Sequence, residues 1–130
     1  MAWTKRQENK LLVATETLTV SGTSNIYTSV VDFLVPGLDF TVLANLAATN
    51  TSNDADIDVY CCDRAAGTFG ILKADLITSL DTKVAPGFYD ISSNGEAPYY
   101  KLALVPDGTL GTTHTVKMAI IQNTGGSQVV

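Results

Sequence analysis

Apolar residues recur at every second position over much of this chain. In the stretch FTVLANLAATNTSNDADIDVYCCD, residues 40–63, Phe40, Val42, Ala44, Leu46 and Ala48 keep one parity, and Ile57, Val59 and Cys61 keep another after the polar tract TNTSND. Successive Cβ atoms point to opposite faces of a strand, so a period of two predicts two strands, each with one buried face. The short polar side chains between them satisfy turn backbone locally, which makes a hairpin the economical reading. Leu12, Ala14, Leu18 and Val20 alternate with Thr15, Thr17 and Thr19, an apolar face backed by a hydroxyl face. Near the end, Tyr100, Leu102 and Leu104 share one face of YYKLALVP, and Val116, Met118 and Ile120 share one face of TTHTVKMAIIQ. With a turn at 106–111 between them, these two predict a second hairpin.

Extending the reading predicts strands at about 11–20, 26–35, 39–48, 56–63, 68–73, 87–92, 98–106 and 112–122. Glycine and proline pairs such as Pro36-Gly37, Pro86-Gly87, Asn94-Gly95 and Asp107-Gly108 punctuate them. The run ADLITSLDT, 74–82, is short enough to suit a strand or a helical turn with Leu76, Ile77 and Leu80 on one side. Eight strands with no long helix to cover a parallel sheet predict an all-β fold, an antiparallel β-sandwich of jelly-roll or immunoglobulin-like type. At 130 residues, 45% hydrophobic and 16% charged, the chain is rich enough in apolar and β-branched residues to bury one core without staples. The division is an N-terminal arm at 1–10, a sandwich domain at 11–122 and a flexible tail at 123–130.

Charge sharpens that division. Residues 1–10 carry Lys5, Arg6 and Lys10 against Glu8, a net of +2, whereas the rest of the chain stands at −7 in a total of −5. An acidic body repels nucleic acid, whose binders need clustered cations to release counterions from phosphate. The arm also holds the single tryptophan, Trp3, in a segment too polar to build core. Trp and Arg are the types most enriched at interface hot spots, so Trp3, Lys5, Arg6 and Lys10 form the candidate interface. Because the first alternating strand is expected from about Leu11, removing the arm is expected to leave the sandwich folded. No apolar run suits a secretory signal after MAWTKRQENK, and none approaches the ~20 residues of a membrane span. The expected compartment is a reducing one, which leaves the sequon at Asn50 without meaning.

Candidate chemistry is sparse. Catalytic nucleophiles need a base, and the single imidazole is His114, sharing parity with Val116 at a strand edge. Cys61 and Cys62 are adjacent, about 3.8 Å apart at Cα and below the roughly 4.4 Å at which ordinary disulfides begin, so free thiols are expected. Three Cys and His residues in all fall short of a structural zinc site. Asp54, Asp56 and Asp58 imitate the start of a calcium loop, but its sixth position is Val59 where glycine is needed and its twelfth is Ala65 where a bidentate glutamate is needed. Three carboxylates on the solvent face of a strand explain the tract. No enzyme, metal or cofactor is expected.

The opening MAWTKRQENKLL, the hydroxyl-rich strands, LANLAATNTSNDADIDVYCCD and the following GILKADL together resemble, over most of the chain, small β-sandwich virion structural proteins of tailed bacteriophages. The resemblance implies a capsid decoration or cement protein that binds and stabilises the assembled head, with a neck or tail accessory as the alternative. It implies assembly in the host bacterial cytoplasm, residence in the virion, the major capsid protein or other virion proteins as partners, and a homo-oligomer without nucleic acid or membrane contact. The rival from another class is a carbohydrate-binding sandwich used in host attachment, with Tyr27, Tyr60, Tyr89 and Tyr99 as outward aromatic candidates.

Overall fold

A computed structural model of the chain describes residues 3–8, 11–32, 39–47, 54–78, 80, 85–89, 97–107 and 110–123. Nine strands run through them: β1 (Thr4–Glu8), β2 (Leu11–Gly22), β3 (Ile26–Tyr27), β4 (Phe40–Ala47), β5 (Asp54–Cys62), β6 (Gly70–Ile77), β7 (Ala85–Tyr89), β8 (Tyr99–Asp107) and β9 (Leu110–Asn123). They form two antiparallel sheets, one ordered β1-β2-β9-β4-β7 and the other β3-β8-β5-β6. The expected all-β antiparallel sandwich is therefore the fold.

Its winding is that of a jelly roll. β2 pairs with β9, β3 with β8, β4 with β7 and β5 with β6. These four pairs are nested, as if one long hairpin with its tip at β5–β6 had been rolled up so that successive pairs fall on alternate sheets. Double-sheet jelly rolls cover both inner faces this way. The inner faces supply the core: Ala14, Leu18, Phe40, Val42, Ala44, Val116, Met118 and Ile120 from the first sheet meet Ala55, Ile57, Val59, Tyr100, Leu102 and Leu104 from the second.

The sequence places the buried faces correctly and mistakes several neighbours. β4 and β5 lie in different sheets, as do β8 and β9, so neither expected hairpin forms. Alternation records which face is buried and carries no information about which strand lies alongside. The first strand begins at Thr4, well before the expected Leu11: Arg6 opposes Val13 and Glu8 opposes Leu11. An edge strand has one neighbour and one solvated side, so TKRQE pairs there without an apolar period. Of the strand expected at 26–35, Ile26–Tyr27 is regular and Val31 makes an isolated bridge to Tyr100, while 33–38 lie outside the described residues. The 74–82 run contains no helical turn among its described residues. Residues 74–77 finish β6, and Ile77 and Leu80 enter the core. Gly87 of β7 sits under that end of β6, where a Cβ would stand 2.7 Å from Ile77 Cγ1 and 2.9 Å from Leu76 Cγ, so a side chain there would have to displace the strand. The tail at 124–130 and the turns at Asn94-Gly95 and Gly108 lie outside the described residues.

Candidate interaction surfaces

The N-terminal residues are engaged within the chain. Trp3 packs half-buried against the core, and its indole Nε1 donates to the carbonyl of Ser29 at 2.8 Å. The same residue's N–H donates to the Glu16 carboxylate at 3.2 and 3.4 Å. Ser29 is thus clasped from both sides. Glu16 lies on the inner face of β2 between Ala14 and Leu18 and is only 3% exposed, so the polar interruption of that apolar face is an internal acceptor. Beside it the Thr28 N–H donates to the Leu102 carbonyl at 2.9 Å, and its Oγ1 accepts the Leu102 N–H at 3.0 Å. Lys5 pairs with Asp32 at 3.1 Å, but both side chains are largely exposed, and such pairs are worth about 0–1 kcal/mol. Arg6 occupies its register position opposite Val13, and Lys10 lies outside the described residues. The structure brings Trp3 and Lys5 together on the segment 28–32.

The outer face of the second sheet carries an aromatic group. Tyr27 and Tyr60 meet edge to face with ring centroids 5.6 Å apart, and Lys101 Nζ stands 4.6 Å from the Tyr27 centroid and 4.7 Å from that of Phe69. Burial, then a hydrogen bond and charge interaction with Tyr27, then the nearby Asp58 carboxylate, push the Tyr60 phenol above its ordinary range. Tyr27 is 43% exposed, but Tyr89, expected outward, points into the core against Phe40. Register explains the reversal: Phe40 faces inward and opposes Tyr89, so the outward residue of that pair of neighbours is Phe88.

Asp58 on this face has a structural duty. Its Oδ1 accepts the N–H of Asp75 at 2.8 Å, where Asp75 adopts φ 55° at an irregularity in the β5–β6 register. Aspartate tolerates this left-handed backbone better than most residues. Among the described residues no group of three or more His, Cys, Asp or Glu side chains is placed to hold a metal ion.

The two cysteines are free and diverge as adjacent strand residues must. Cys61 packs toward the core, while Cys62 is buried beneath the 63–67 turn, where a Cβ on Gly67 would come within 2.4 Å of its Sγ. Burial foremost, and the neighbouring Cys62 next, push the Cys61 thiol above its ordinary value. Since the thiolate is the nucleophile, alkylation of Cys61 at pH 8 is expected to be slower than that of an unstructured cysteine peptide and to rise at higher pH. Equal rates in a Cys62→Ala background would show that the thiol is not held in this way.

The outer face of the first sheet carries few charges across β2, β9, β4 and β7. One row across it reads Val13, Ile121, Thr41, Phe88; the next reads Thr15, Ala119, Leu43, Pro86; a third reads Thr17, Lys117, Asn45. Phe88 is 62% exposed at the β7 edge. Over the Ala44–Met118 pair lies a depression of about 190 Å³, walled by Leu43, Asn45, Lys117 and Ala119. Neither feature is visible from the sequence, where Phe88 reads as part of a turn-flanked strand and the depression depends on the pairing of β4 with β9. His114 takes its place in β9 opposite Val20.

The geometry defines a double-sheet jelly-roll β-sandwich, an architecture that viral capsid domains, lectins and cupins share. The chain superposes on a protein in the structure of infectious bursal disease virus, Gx strain, with a TM-score of 0.55 at 11% identity, over 93% of this chain and 34% of that one. VP2 of the infectious bursal disease virus subviral particle matches with a TM-score of 0.48 at 12% identity, over 91% of this chain and 34% of its own. A chain of the cyanophage Pam1 capsid asymmetric unit matches with a TM-score of 0.42 at 13% identity, over 86% and 83% of the two chains. The chain spans about a third of the length of the two bursal disease virus chains. At this identity the first likeness shows a shared fold. No protein-family model matches the sequence, and no curated protein does.

Proposed function

We propose that this chain is a non-enzymatic structural protein of a tailed-bacteriophage virion, a decoration or cement protein that binds the assembled head and stabilises it. The observation that carries this reading is the jelly-roll winding, superposable over 93% of the chain on a virus structure. The resemblance of its sequence layout to small phage sandwich proteins supports the tailed-phage assignment. A cement protein resists separation of capsid subunits by bridging their seams, and its own oligomerisation multiplies a weak contact through effective concentration. Trp3 and Lys5 are occupied by Ser29 and Asp32, so attachment falls mainly to the sandwich faces, with Arg6 and Lys10 as the proposed contribution of the N-terminal segment. The partner is the major capsid protein, met in the bacterial cytoplasm.

Gradient-purified particles test the reading. The protein is expected to comigrate with heads in fixed proportion to the major capsid protein, and its addition to stripped heads is expected to raise their disruption temperature. A low copy number confined to one vertex would favour the neck or tail alternative. Absence from purified particles would overturn the virion assignment.

A further inference from the structure

We infer that two copies of this chain pair through the outer face of the β1-β2-β9-β4-β7 sheet, with Phe88 of each seated in the depression between β4 and β9 of the other. This deepens the homo-oligomer part of the proposed function, yet it stands on the shape of the face itself.

Phe88 presents a large apolar ring, 62% exposed, on the same face as the depression walled by Leu43, Asn45, Lys117 and Ala119. A cavity of roughly 150 Å³ accepts a benzene ring, and this one measures about 190 Å³. Its own Phe88 cannot fill it. Phe88 opposes Thr41, whereas the depression lies over Ala44 and one strand further across, a separation of about 12 Å from strand rise and spacing. A Phe88 ring filling it therefore comes from another molecule.

A two-fold axis parallel to the sheet, bisecting the line from Phe88 to the depression, places each ring over its partner's hole in one operation. Isologous pairing needs such self-complementarity. The face is large enough: four strands over the eight-residue β4 ladder project on the order of 500 Å², and side-chain relief raises this toward the ~800 Å² per partner of a standard interface. Charge points the same way. The chain carries −5 overall, so two copies repel least where carboxylates are missing, and the three rows between Val13 and Asn45 contain none, with Lys117 and, where β1 extends the first row, Arg6 as their charged residues. The opposite outer face carries Asp56 and Asp58, whose like charges would oppose self-pairing there.

Sedimentation equilibrium of the full chain over a concentration series tests this. The wild-type mass is expected to approach twice 13.8 kDa. Phe88→Asp should weaken the dimer by at least ~30-fold, as expected for a buried aromatic anchor, and Ala119→Arg, which fills the hole, should do the same. Ile71→Asp, at an equally exposed apolar position on the other sheet, should leave the dimer unchanged. Circular dichroism confirms that each variant is folded, and the two hole-and-knob variants serve as alternates should one fail. A monomer at every concentration, a trimer or larger closed species, or a dimer indifferent to both substitutions would overturn the inference. A dimer that behaves as described but never associates with particles would instead remove the virion reading and leave the pairing intact.

Discussion

Tyr100→Ala is expected to lower the unfolding midpoint by more than ~10 °C, the largest effect of any single substitution considered. Tyr100 is 1% exposed, packs edge to face on Phe40 with centroids 5.5 Å apart, and its hydroxyl accepts the Ala97 N–H at 3.1 Å. Its backbone opposes Cys61 on β5 and also bridges Val31. Truncating a buried aromatic costs about 3–5 kcal/mol, against a total stability of about 5–15 kcal/mol, and each kcal/mol moves the midpoint by several degrees in a domain of this size. Tyr100→Phe keeps the ring and loses one acceptor, so about 1 kcal/mol is expected. Thermal melts followed by circular dichroism separate the two, and similar losses for both would mean that the hydroxyl, and not the packing, carries the site.

Deleting residues 1–10 is expected to be the second large effect: the sequence alone leads to the expectation of an intact sandwich, whereas the pairing of β1 with β2 leads to that of a weakened one. The deletion removes the whole β1 ladder opposite Leu11–Thr15, the half-buried Trp3 and its bond to Ser29. One net hydrogen bond and a partly buried indole together account for about 2–4 kcal/mol. The deletion also bares the edge of β2, a twelve-residue strand, and long uncovered edges invite association. A midpoint lowered by ~10 °C with concentration-dependent aggregation is expected, with Trp3→Ala reproducing much of the thermal loss and little of the aggregation. A truncated chain that melts like the full one and stays soluble would restore the view of residues 1–10 as a free arm.

The sequence makes the inner faces legible because alternation is a local property. Tyr100, Leu102 and Leu104, like Val116, Met118 and Ile120, are buried as their parity requires. Pairing is another matter. Leu18 lies opposite Val116 and Ile26 opposite Leu104, partners too distant in the chain for any turn signal to announce them, whereas the polar tract between β4 and β5 imitates a hairpin turn while carrying the chain to the other sheet. Polar residues that serve the interior are equally hidden. Glu16 reads as a break in an apolar face until Ser29 is folded over it, and TKRQE has no period because an edge strand needs none. The candidate surface was missed for a related reason: a knob at Phe88 and a hole over Ala44 and Met118 exist only once β7, β4 and β9 lie side by side.

The nesting of the four strand pairs also sets the order in which the chain can acquire structure on the ribosome. β5 and β6 are neighbours in sequence and can pair as soon as both emerge, but β2, the longest stretch of the first sheet to be made early, must wait for β9. At about 5–20 residues per second, nearly a hundred residues of synthesis leave β2 without its inner neighbour for roughly 5 to 20 s. Among the described strands β1 is the neighbour of β2 that is made without that wait, so an early β1–β2 pairing would cover one edge of the strand on which the roll finally closes.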